Sequence, residues 1–285
     1  MILVTGAAGF IGSCLLEAIT EPTVCADPAG YNMLAPEEAI AELQSSKDIS
    51  CVYHMGAISS TTETNSVKLT ENNILYSLRI LEVCIIKQIP FIYASSASVY
   101  GAATGIQSES QLLAPINAYA SSKSALDYFV QLKIDSHPDA HIVGLRYFNV
   151  FGHREHHKGD MASPVHKFTI QGRKTGKIKI FEGSSDFQRD FVHIDDVVAM
   201  TLAAPSFKSS GIYNVGTGAA RSFQDVAEII AAATGAVIEE IPFPQHLKGK
   251  YQKYTCSDNH KISMAGYNEP RQSLEEGIRK TLALI

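Results

Sequence analysis

The sequence predicts an α/β fold with a doubly wound parallel sheet, followed by a smaller second lobe. Through the first 150 residues, short apolar runs alternate with helical patterns. Such alternation is typical of parallel strands that are joined by right-handed helical crossovers. The apolar runs expected to form buried strands are residues 2–6, 23–27, 51–54, 91–96 and 141–148.

Helices are expected between these strands. Between the third and fourth strands, Ile74, Leu78, Leu81 and Ile85 recur at intervals of four, three and four residues, which places them on one face of a helix. Residues 1–150 are therefore expected to form the sheet domain, and a later part, about 190–218, is expected to return to it.

The regular alternation of apolar runs and helical patterns ends at about residue 150. A strand-like run lies at 177–181, and a helix opens at 195–200, among longer polar loops. We expect residues 151–285 to form mainly a smaller α/β lobe at the edge of the sheet. The cleft between the two lobes is the expected substrate site.

Two capping boxes mark helices in this second lobe. Ser222 is followed three residues later by Asp225, and Ser273 by Glu276, ahead of apolar residues at helical spacing. The first of these helices is expected to stop at Gly235, because glycine readily adopts the left-handed conformation that ends a helix.

Composition argues against several classes of function. The chain has 285 residues, 45% of them hydrophobic, and a net charge of −5. Because the chain has no basic stripe, we expect no nucleic-acid partner. It has no apolar run of 18 residues, so we expect no membrane span. Its start does not resemble a signal peptide, so we expect no export. The five cysteines are scattered, and His156 and His157 have no third ligand at a sensible spacing. We therefore expect reduced thiols, a cytoplasmic location and no metal site.

A glycine-rich turn links the first strand to the first helix. Gly6, Gly9 and Gly12 form the pattern G-x-x-G-x-x-G. Such a turn lets the backbone approach a pyrophosphate, whose charge is stabilised by the N–H groups at the helix N-terminus. Asp27 ends the second strand, where a carboxylate would accept hydrogen bonds from the adenosine ribose hydroxyls. The sequence thus predicts dinucleotide binding.

Asp27 also bears on the choice of dinucleotide. Its negative charge would repel the 2′-phosphate of NADP unless a cation stood nearby. Residues 28–39 contain no cation, and the next lysine is Lys47. Electrostatics therefore favour NAD over NADP.

Tyr119 and Lys123 form a Tyr-x-x-x-Lys pair, one turn apart on a predicted helix. A neighbouring ammonium favours tyrosinate, so we expect Lys123 to lower the pKa of Tyr119 towards neutral pH, where the phenol could exchange protons with a substrate hydroxyl. Ser96 ends the fourth strand, where ligands collect in sheets of this kind. Its hydroxyl could hydrogen-bond the same substrate oxygen.

These motifs, with "RDFVHIDDV" (189–197), resemble the extended short-chain dehydrogenase/reductase superfamily of Rossmann-type nucleotide-sugar epimerases and dehydratases, and the likeness runs nearly end to end. Within that group, further stretches are similar to the ADP-L-glycero-D-manno-heptose 6-epimerases. These stretches are 59–63, 71–73, 146–163, 181–192 and 242–252.

The resemblance implies an isomerase that takes ADP-glycero-manno-heptose, with tightly bound NAD(P), NADP being usual in the family, and a homo-oligomeric assembly. Carbon C6″ would be oxidised to a ketone and reduced again on its other face. Tyr119 would serve one face, and Lys158, the lysine of the "HKG" loop, would be the acid/base on the other. Lys123 and Ser96 complete the implied catalytic set.

The resemblance also implies further cofactor-binding and substrate-binding residues, at the positions of this sequence that match the family's motifs. Arg189 would grip the substrate diphosphate with its planar guanidinium, the alternative being an ion pair with Asp190 or another neighbour. Besides the three glycines, the positions expected at the cofactor are Phe10, Ile11, Asp27, Gly56, Ala57, Ser59, Asn72, Lys123 and Val150. The positions expected at the nucleotide sugar are Ser96, Asn149, Asp160, Lys167, Phe181, Glu182, Gly183, Ser184, Arg189 and Tyr251.

The sequence departs from the family pattern in two respects. The stretch from Asp27 to His54 is short, and the missing piece normally carries a lysine that helps to accept the NADP 2′-phosphate. Met55 stands where glutamate is usual, and, beside the substrate in the family pattern, Asp160 replaces a serine and Lys167 a histidine. The exact sugar is therefore the least constrained part of the prediction.

Three alternatives remain. A 4-epimerase of the same superfamily would need no Lys158. A 4,6-dehydratase is disfavoured, because Ala97 and Ser98 occupy the positions of its usual Asp-Glu pair. A non-catalytic, dinucleotide-sensing protein is also disfavoured, because such proteins usually lose the tyrosine or the lysine that this chain keeps at 119 and 123.

Overall fold

A computed structural model describes residues 1–30, 32–245 and 253–285. The strands it contains are β1 (Ile2–Thr5), β2 (Thr23–Ala26), β3 (Cys51–His54), β4 (Phe91–Ser96), β5 (Ile142–Tyr147), β6 (Asn149–Phe151), β7 (Lys177–Phe181), β8 (Gln188–His193), β9 (Gly211–Val215), β10 (Ala220–Ser222) and β11 (Val237–Ile241). Its α-helices are α1 (Phe10–Ala18), α2 (Pro36–Ser45), α3 (Ser66–Leu69), α4 (Tyr76–Lys87), α5 (Ala118–Ser136), α6 (Pro164–Thr175), α7 (Ile194–Ala203), α8 (Phe223–Thr234), α9 (His260–Met264) and α10 (Leu274–Leu284).

Six strands form a central parallel sheet in the order β2–β1–β3–β4–β5–β9. The predicted doubly wound parallel fold is therefore confirmed, and each of the five predicted strands lies within one residue of its predicted bounds. Alternate residues of a strand face opposite layers of helices. Val4 packs with Leu15 of α1 on one side of the sheet, and Leu3 packs with Leu43 of α2 and Leu126 of α5 on the other.

Outside the central sheet, a three-stranded sheet, β10–β8–β6, and a parallel pair, β11–β7, form a second group of strands, which we call the C-terminal lobe. Its core is formed by side chains of α6, α8 and α10 against these strands. Both predicted capping boxes are confirmed, Ser222 with Asp225 at the start of α8 and Ser273 with Glu276 at the start of α10. Gly235 ends α8 with φ of 73°, as its sequence position predicts.

The helix between β3 and β4 contains a wide turn. The backbone is π-helical over Thr70–Leu75, between α3 and α4. The predicted helix is confirmed. Leu81 and Ile85 are buried, as predicted, whereas Ile74 and Leu78 are only half-buried and Asn73 is completely buried. A π turn holds more residues than an α turn, so it shifts the buried stripe and brings Asn73 inward.

In the segment after β2, the described residues form an isolated β-bridge and no further strand. Leu34 pairs with Ala26, its N–H donating to the Cys25 carbonyl at 2.9 Å, and the Asp27 N–H donates to the Leu34 carbonyl at 3.0 Å. A dinucleotide-binding sheet usually has a third strand beside this edge. Here the shortened chain turns back directly beneath Asp27.

Among the described residues, no helix is both long and apolar enough to cross a membrane. The five cysteines are free, as predicted, and four of them are buried. Burial raises the pKa of the Cys14 thiol to about 11, so this thiol is protonated at neutral pH.

Candidate active site

A cleft of about 530 Å³ opens at the carboxyl ends of β1, β3 and β4. Strand order reverses at β1, which lies between β2 and β3, and ligands of doubly wound sheets bind where such a reversal occurs. Every position expected at the cofactor lines this cleft. The expected catalytic residues that line it too are Ser96, Tyr119, Lys123 and Lys158.

The glycine turn forms a cradle that fits a pyrophosphate. Gly6 has φ of 66°, and a Cβ there would lie 2.5 Å from the Gly56 backbone nitrogen. A Cβ at Gly12 would lie 2.1 Å from the Gly6 carbonyl oxygen. Only glycine permits this close packing of two loops and the first turn of α1, which leaves the helix N-terminus open towards the cleft.

Asp27 is held in place at one end of this cradle. Its Oδ2 accepts a hydrogen bond from the Ala8 N–H at 3.2 Å, and its Oδ1 accepts one from the Ala29 N–H at 2.8 Å. Of the described residues that line the cleft, Lys123 and Lys158 are the lysines or arginines, and neither lies on the segment that follows Asp27. The carboxylate is thus fixed where a ribose could bind.

Tyr119 and Lys123 come together on α5, but the expected pKa effect is wrong for the ligand-free protein. Burial raises the pKa of Tyr119, and a hydrogen bond with Ser96 offsets part of that rise. The Lys123 ammonium does not contribute to this shift; it donates a hydrogen bond to the Ala94 carbonyl at 2.7 Å. In the ligand-free protein Tyr119 is therefore a neutral phenol at pH 7, and its phenolate is the form that accepts a proton.

The burial of Lys123 makes stability depend on pH. Desolvation lowers its pKa from 10.5 to about 8. The unfolded chain therefore binds more protons than the folded one between pH 8 and 10.5, so the free energy of unfolding rises with pH across that window. Below pH 8 both states carry the charge, and its burial costs up to about 3 kcal/mol.

We expect Lys123→Met to stabilise the ligand-free protein by about 1–3 kcal/mol at pH 7, because it removes a buried charge. The advantage should shrink as the pH rises from 8 to 10. Urea unfolding of wild type and variant at matched pH measures it, and the difference between them cancels the titration of other groups. A difference that is constant over this range would contradict the buried-charge explanation.

Lys158 lies on a short 3₁₀ segment, His156–Met161, in the polar loop that follows β6. Its Nζ donates to Glu155 Oε2 at 3.0 Å and lies 4.7 Å from the centroid of the Phe10 ring. The lysine side chain is 22% exposed. Gly159, with φ of 51°, turns the chain sharply after the lysine, a conformation that favours glycine.

The Lys158 loop is also anchored to α1. Arg154 forms an ion pair with Glu17, and His153 Nε2 lies 3.4 Å from the Glu17 carboxylate and 3.8 Å from Cys14 Sγ. Cys14, Glu17 and His153 are the one set of potential metal ligands found together among the described residues. Because the Arg154 guanidinium already neutralises Glu17, we interpret the set as an anchor between the loop and α1.

Of the residues expected to bind the nucleotide sugar, some line the cleft and others do not. Asn149 and Ser96 line the cleft. Tyr251 lies outside the described residues. The others do not line the cleft; they are Asp160, Lys167, Phe181, Glu182, Gly183, Ser184 and Arg189.

Two of these outlying residues contact each other. The Lys167 ammonium donates to the Asp160 backbone carbonyl at 2.6 Å, and both side chains are exposed. The rest lie on β7, β8 and the turn between them, in the C-terminal lobe. Arg189 is buried there, 5.5 Å from the Phe223 ring, while the neighbouring Asp190 carboxylate accepts hydrogen bonds from residues 217, 218 and 257.

Comparison with known proteins identifies the family. Residues 2–216 match the model of the NAD dependent epimerase/dehydratase family. The chain belongs to that family. Among solved structures, ADP-L-glycero-D-manno-heptose 6-epimerase from Helicobacter pylori is 30% identical, with a TM-score of 0.88, and the match covers 99% of this chain and 94% of that one.

Other members of the epimerase/dehydratase family are similar over the same length. UDP-glucose 4-epimerase from Thermotoga maritima is 27% identical, with a TM-score of 0.85, and the match covers 99% of this chain and 97% of that one. UDP-glucose 4-epimerase from Thermus thermophilus, solved with NAD, is 27% identical with the same coverage and a TM-score of 0.83. The fold of this epimerase-family chain is therefore common to enzymes that act on different sugar carbons.

Sequence reasoning missed one residue, Asn73, that connects two walls of the cleft. The Asn73 amide accepts from the Ile58 N–H at 2.8 Å and donates to the Ile58 carbonyl at 3.1 Å and to Ser122 Oγ at 3.0 Å. It thereby ties the loop after β3 to α5, which carries Tyr119. The adjacent Asn72, which was expected at the cofactor, lines the cleft. Asn73 is directed into the protein and Asn72 towards the cleft, a difference that the structure shows and the sequence does not indicate.

A second missed feature is a buried polar network beneath Tyr119. The Arg146 guanidinium donates to Asp127 at 2.8 Å and to the Tyr100 hydroxyl at 2.9 Å, and the Tyr93 hydroxyl donates to Asp127 at 2.9 Å. These groups join β4, β5 and α5 behind the cleft. The signal available in the sequence was a charged residue, Arg146, in the middle of an otherwise apolar strand.

Proposed function

We propose that this chain is a nucleotide-sugar epimerase that inverts C6″ of ADP-glycero-manno-heptose through a transient 6″-ketone. The observation that carries the proposal is the presence of Lys158 in the wall of the same cleft as Tyr119 and Ser96. Two proton-transfer groups on separate elements, α5 and the loop after β6, suit a reaction that uses both faces of one carbon. The similarity to the Helicobacter pylori heptose 6-epimerase supports the same substrate.

In this proposal each residue has a distinct task. Tyr119 accepts the proton of the substrate hydroxyl on one face, and Ser96 orients that oxygen by hydrogen bonding. After the ketone has turned within the cleft, Lys158 donates a proton to its oxygen on the opposite face. Asn149 lines the cleft beside the sugar, and Arg189, with residues 181–184, would hold the diphosphate and nucleotide in the C-terminal lobe.

The residues of the cradle would hold a nicotinamide dinucleotide. When bound, this group supplies the reversible removal of a hydride from the carbinol carbon, so that no net oxidation results. Gly6, Gly9 and Gly12 would hold its pyrophosphate, Asp27 its adenosine ribose, and Lys123 would lie beside the dinucleotide in the wall of the cleft.

We expect the dinucleotide to be NAD. A fixed Asp27 carboxylate would repel a 2′-phosphate, and Arg79 on α4, which does not line the cleft, forms an ion pair with Glu37. Mass spectrometry of the dinucleotide released from purified, denatured protein should show the mass of NAD. Predominant NADP would show that a cation outside this part of the cleft accepts the extra phosphate.

Incubation with ADP-D-glycero-D-manno-heptose tests the proposed reaction. Nuclear magnetic resonance should show conversion to an equilibrium mixture of the two C6″ epimers, without loss of the nucleotide. Conversion of a UDP-sugar at C4″, with ADP-heptose unchanged, would instead support the second candidate, a 4-epimerase. That candidate is favoured by the similarity to the two UDP-glucose 4-epimerases.

The homo-oligomer and the cytoplasmic location stay predictions. The apolar side chains that are exposed on α4 and α5 would suit a contact with a second copy of the chain. Examples are Ile86, Tyr128, Phe129 and Leu132.

A further inference from the structure

Both carboxylate oxygens of Glu155 accept hydrogen bonds within the protein. The residue has no exposed surface. Its Oε1 accepts hydrogen bonds from the Gly152 N–H at 3.2 Å and from Ser163 Oγ at 2.7 Å, and its Oε2 accepts from the Ser163 N–H at 2.7 Å and from Lys158 Nζ at 3.0 Å. One buried carboxylate therefore joins both ends of the loop 152–163 and the lysine that the loop carries.

Lys158 is the counter-charge of this carboxylate. A buried charge is tolerated only when it is paired and hydrogen-bonded. Within residues 1–30, 32–245 and 253–285, Lys158 is the one cationic partner in ion-pair contact with Glu155. The neighbouring His166 does not replace it, because burial lowers the pKa of His166 below 6.5 and leaves this imidazole neutral at pH 7.

The ammonium is fixed from a second direction as well. It lies 4.7 Å from the centroid of Phe10, the first residue of α1 and a neighbour of the glycine cradle. A cation over an aromatic ring is attracted to it, and a contact of this kind limits where the ammonium can move. Glu155 and Phe10 together hold Lys158 between the loop and the cofactor end of the cleft.

We propose that Glu155 is the positioning residue for Lys158. It closes the loop into a rigid turn and fixes the ammonium at the wall of the cleft before substrate arrives, so that the lysine need not be ordered during turnover. The catalytic consequence rests on the proposed function. The positioning of Lys158 by Glu155 does not depend on that function, and it can be measured without any substrate.

Reductive methylation tests the positioning directly. Formaldehyde and cyanoborohydride modify accessible lysine amines, and peptide mass spectrometry gives the rate at each lysine. We expect Lys158 to react about tenfold faster in Glu155→Gln than in wild type, because a charge-assisted hydrogen bond is lost. The exposed-face variant Glu228→Gln is the matched control, and the exposed Lys174 gives the rate of a free amine. Glu155→Asp, which keeps the charge with a shorter reach, should give an intermediate rate.

The proposal is overturned if wild-type Lys158 reacts as fast as Lys174, or if neither change at Glu155 alters its rate. Kinetics provide the second readout: Glu155→Gln should lower kcat about 10–100-fold while KM stays within about twofold. Ser163→Ala, which loosens the same loop without removing the charge, should cost less in kcat. Equal losses in both variants would show a merely structural role. If wild type converts no nucleotide sugar, the proposed function fails, and the methylation rates still decide the role of Glu155.

Discussion

Tyr119→Phe should lower turnover of ADP-heptose about a thousandfold, because it removes the hydroxyl that exchanges a proton with the substrate. The ring remains, and Tyr119 is almost completely buried in the first turns of α5, so the packing of the cleft is kept. The lost hydrogen bond with Ser96 is expected to change the free energy of unfolding by only about 1 kcal/mol. The dinucleotide content of the purified protein should stay the same.

Steady-state kinetics, thermal unfolding and mass spectrometry of the bound dinucleotide together measure this result. Tyr128→Phe is the matched control, since it removes a phenolic hydroxyl from the exposed face of the same helix. It should leave kcat unchanged. Retention of more than about a tenth of wild-type turnover by Tyr119→Phe would show that another group carries the proton, because a general acid/base is worth at least about a hundredfold.

Lys158→Met should abolish inversion at C6″, with kcat lower by about two to four orders of magnitude. It should also destabilise the protein by up to about 3–5 kcal/mol, because Glu155 is left buried without its counter-charge. Loss of activity in Lys158→Met alone would therefore not distinguish lost catalysis from lost stability. Because Lys158 and Glu155 form an ion pair, removal of both charges can separate these two effects.

The double variant Lys158→Met/Glu155→Gln separates stability from catalysis. Removing both charges should restore much of the free energy of unfolding, since no uncompensated charge stays buried, whereas turnover should stay lost. Lys174→Met, an exposed lysine at the end of α6, controls for the loss of a positive charge. Recovery of activity in the stabilised double variant would show that Lys158 only supports the fold.

Most of the fold could be predicted from the sequence, because strand burial and helix capping are local properties. The alternation of apolar runs predicted five of the six strands of the central sheet to within one residue, and Ser222 and Ser273 marked two helix starts correctly. The π turn at Thr70–Leu75 was not predictable, since the regular period of 3.6 residues contains no signal for one extra residue.

The candidate site was predictable where a motif places a residue at the end of a strand or on one face of a helix. That is why the cradle, Ser96 and Tyr119 line one cleft. The pKa of Tyr119 was not predictable, because it depends on burial and on a hydrogen bond with Ser96. The role of Glu155 was hidden as well, since its partners lie up to eight positions away in an irregular loop.

In the proposed reaction, Tyr119 and Lys158 reach one carbinol carbon from opposite faces. A crystal structure with NAD and ADP-heptose bound would show whether they do. We expect Tyr119 Oη and Lys158 Nζ on opposite sides of C6″, each about 3 Å from a position that the C6″ oxygen occupies before or after inversion. Lys158 directed into solvent with the sugar nucleotide bound, or both groups on the same side of C6″, would contradict the proposed arrangement.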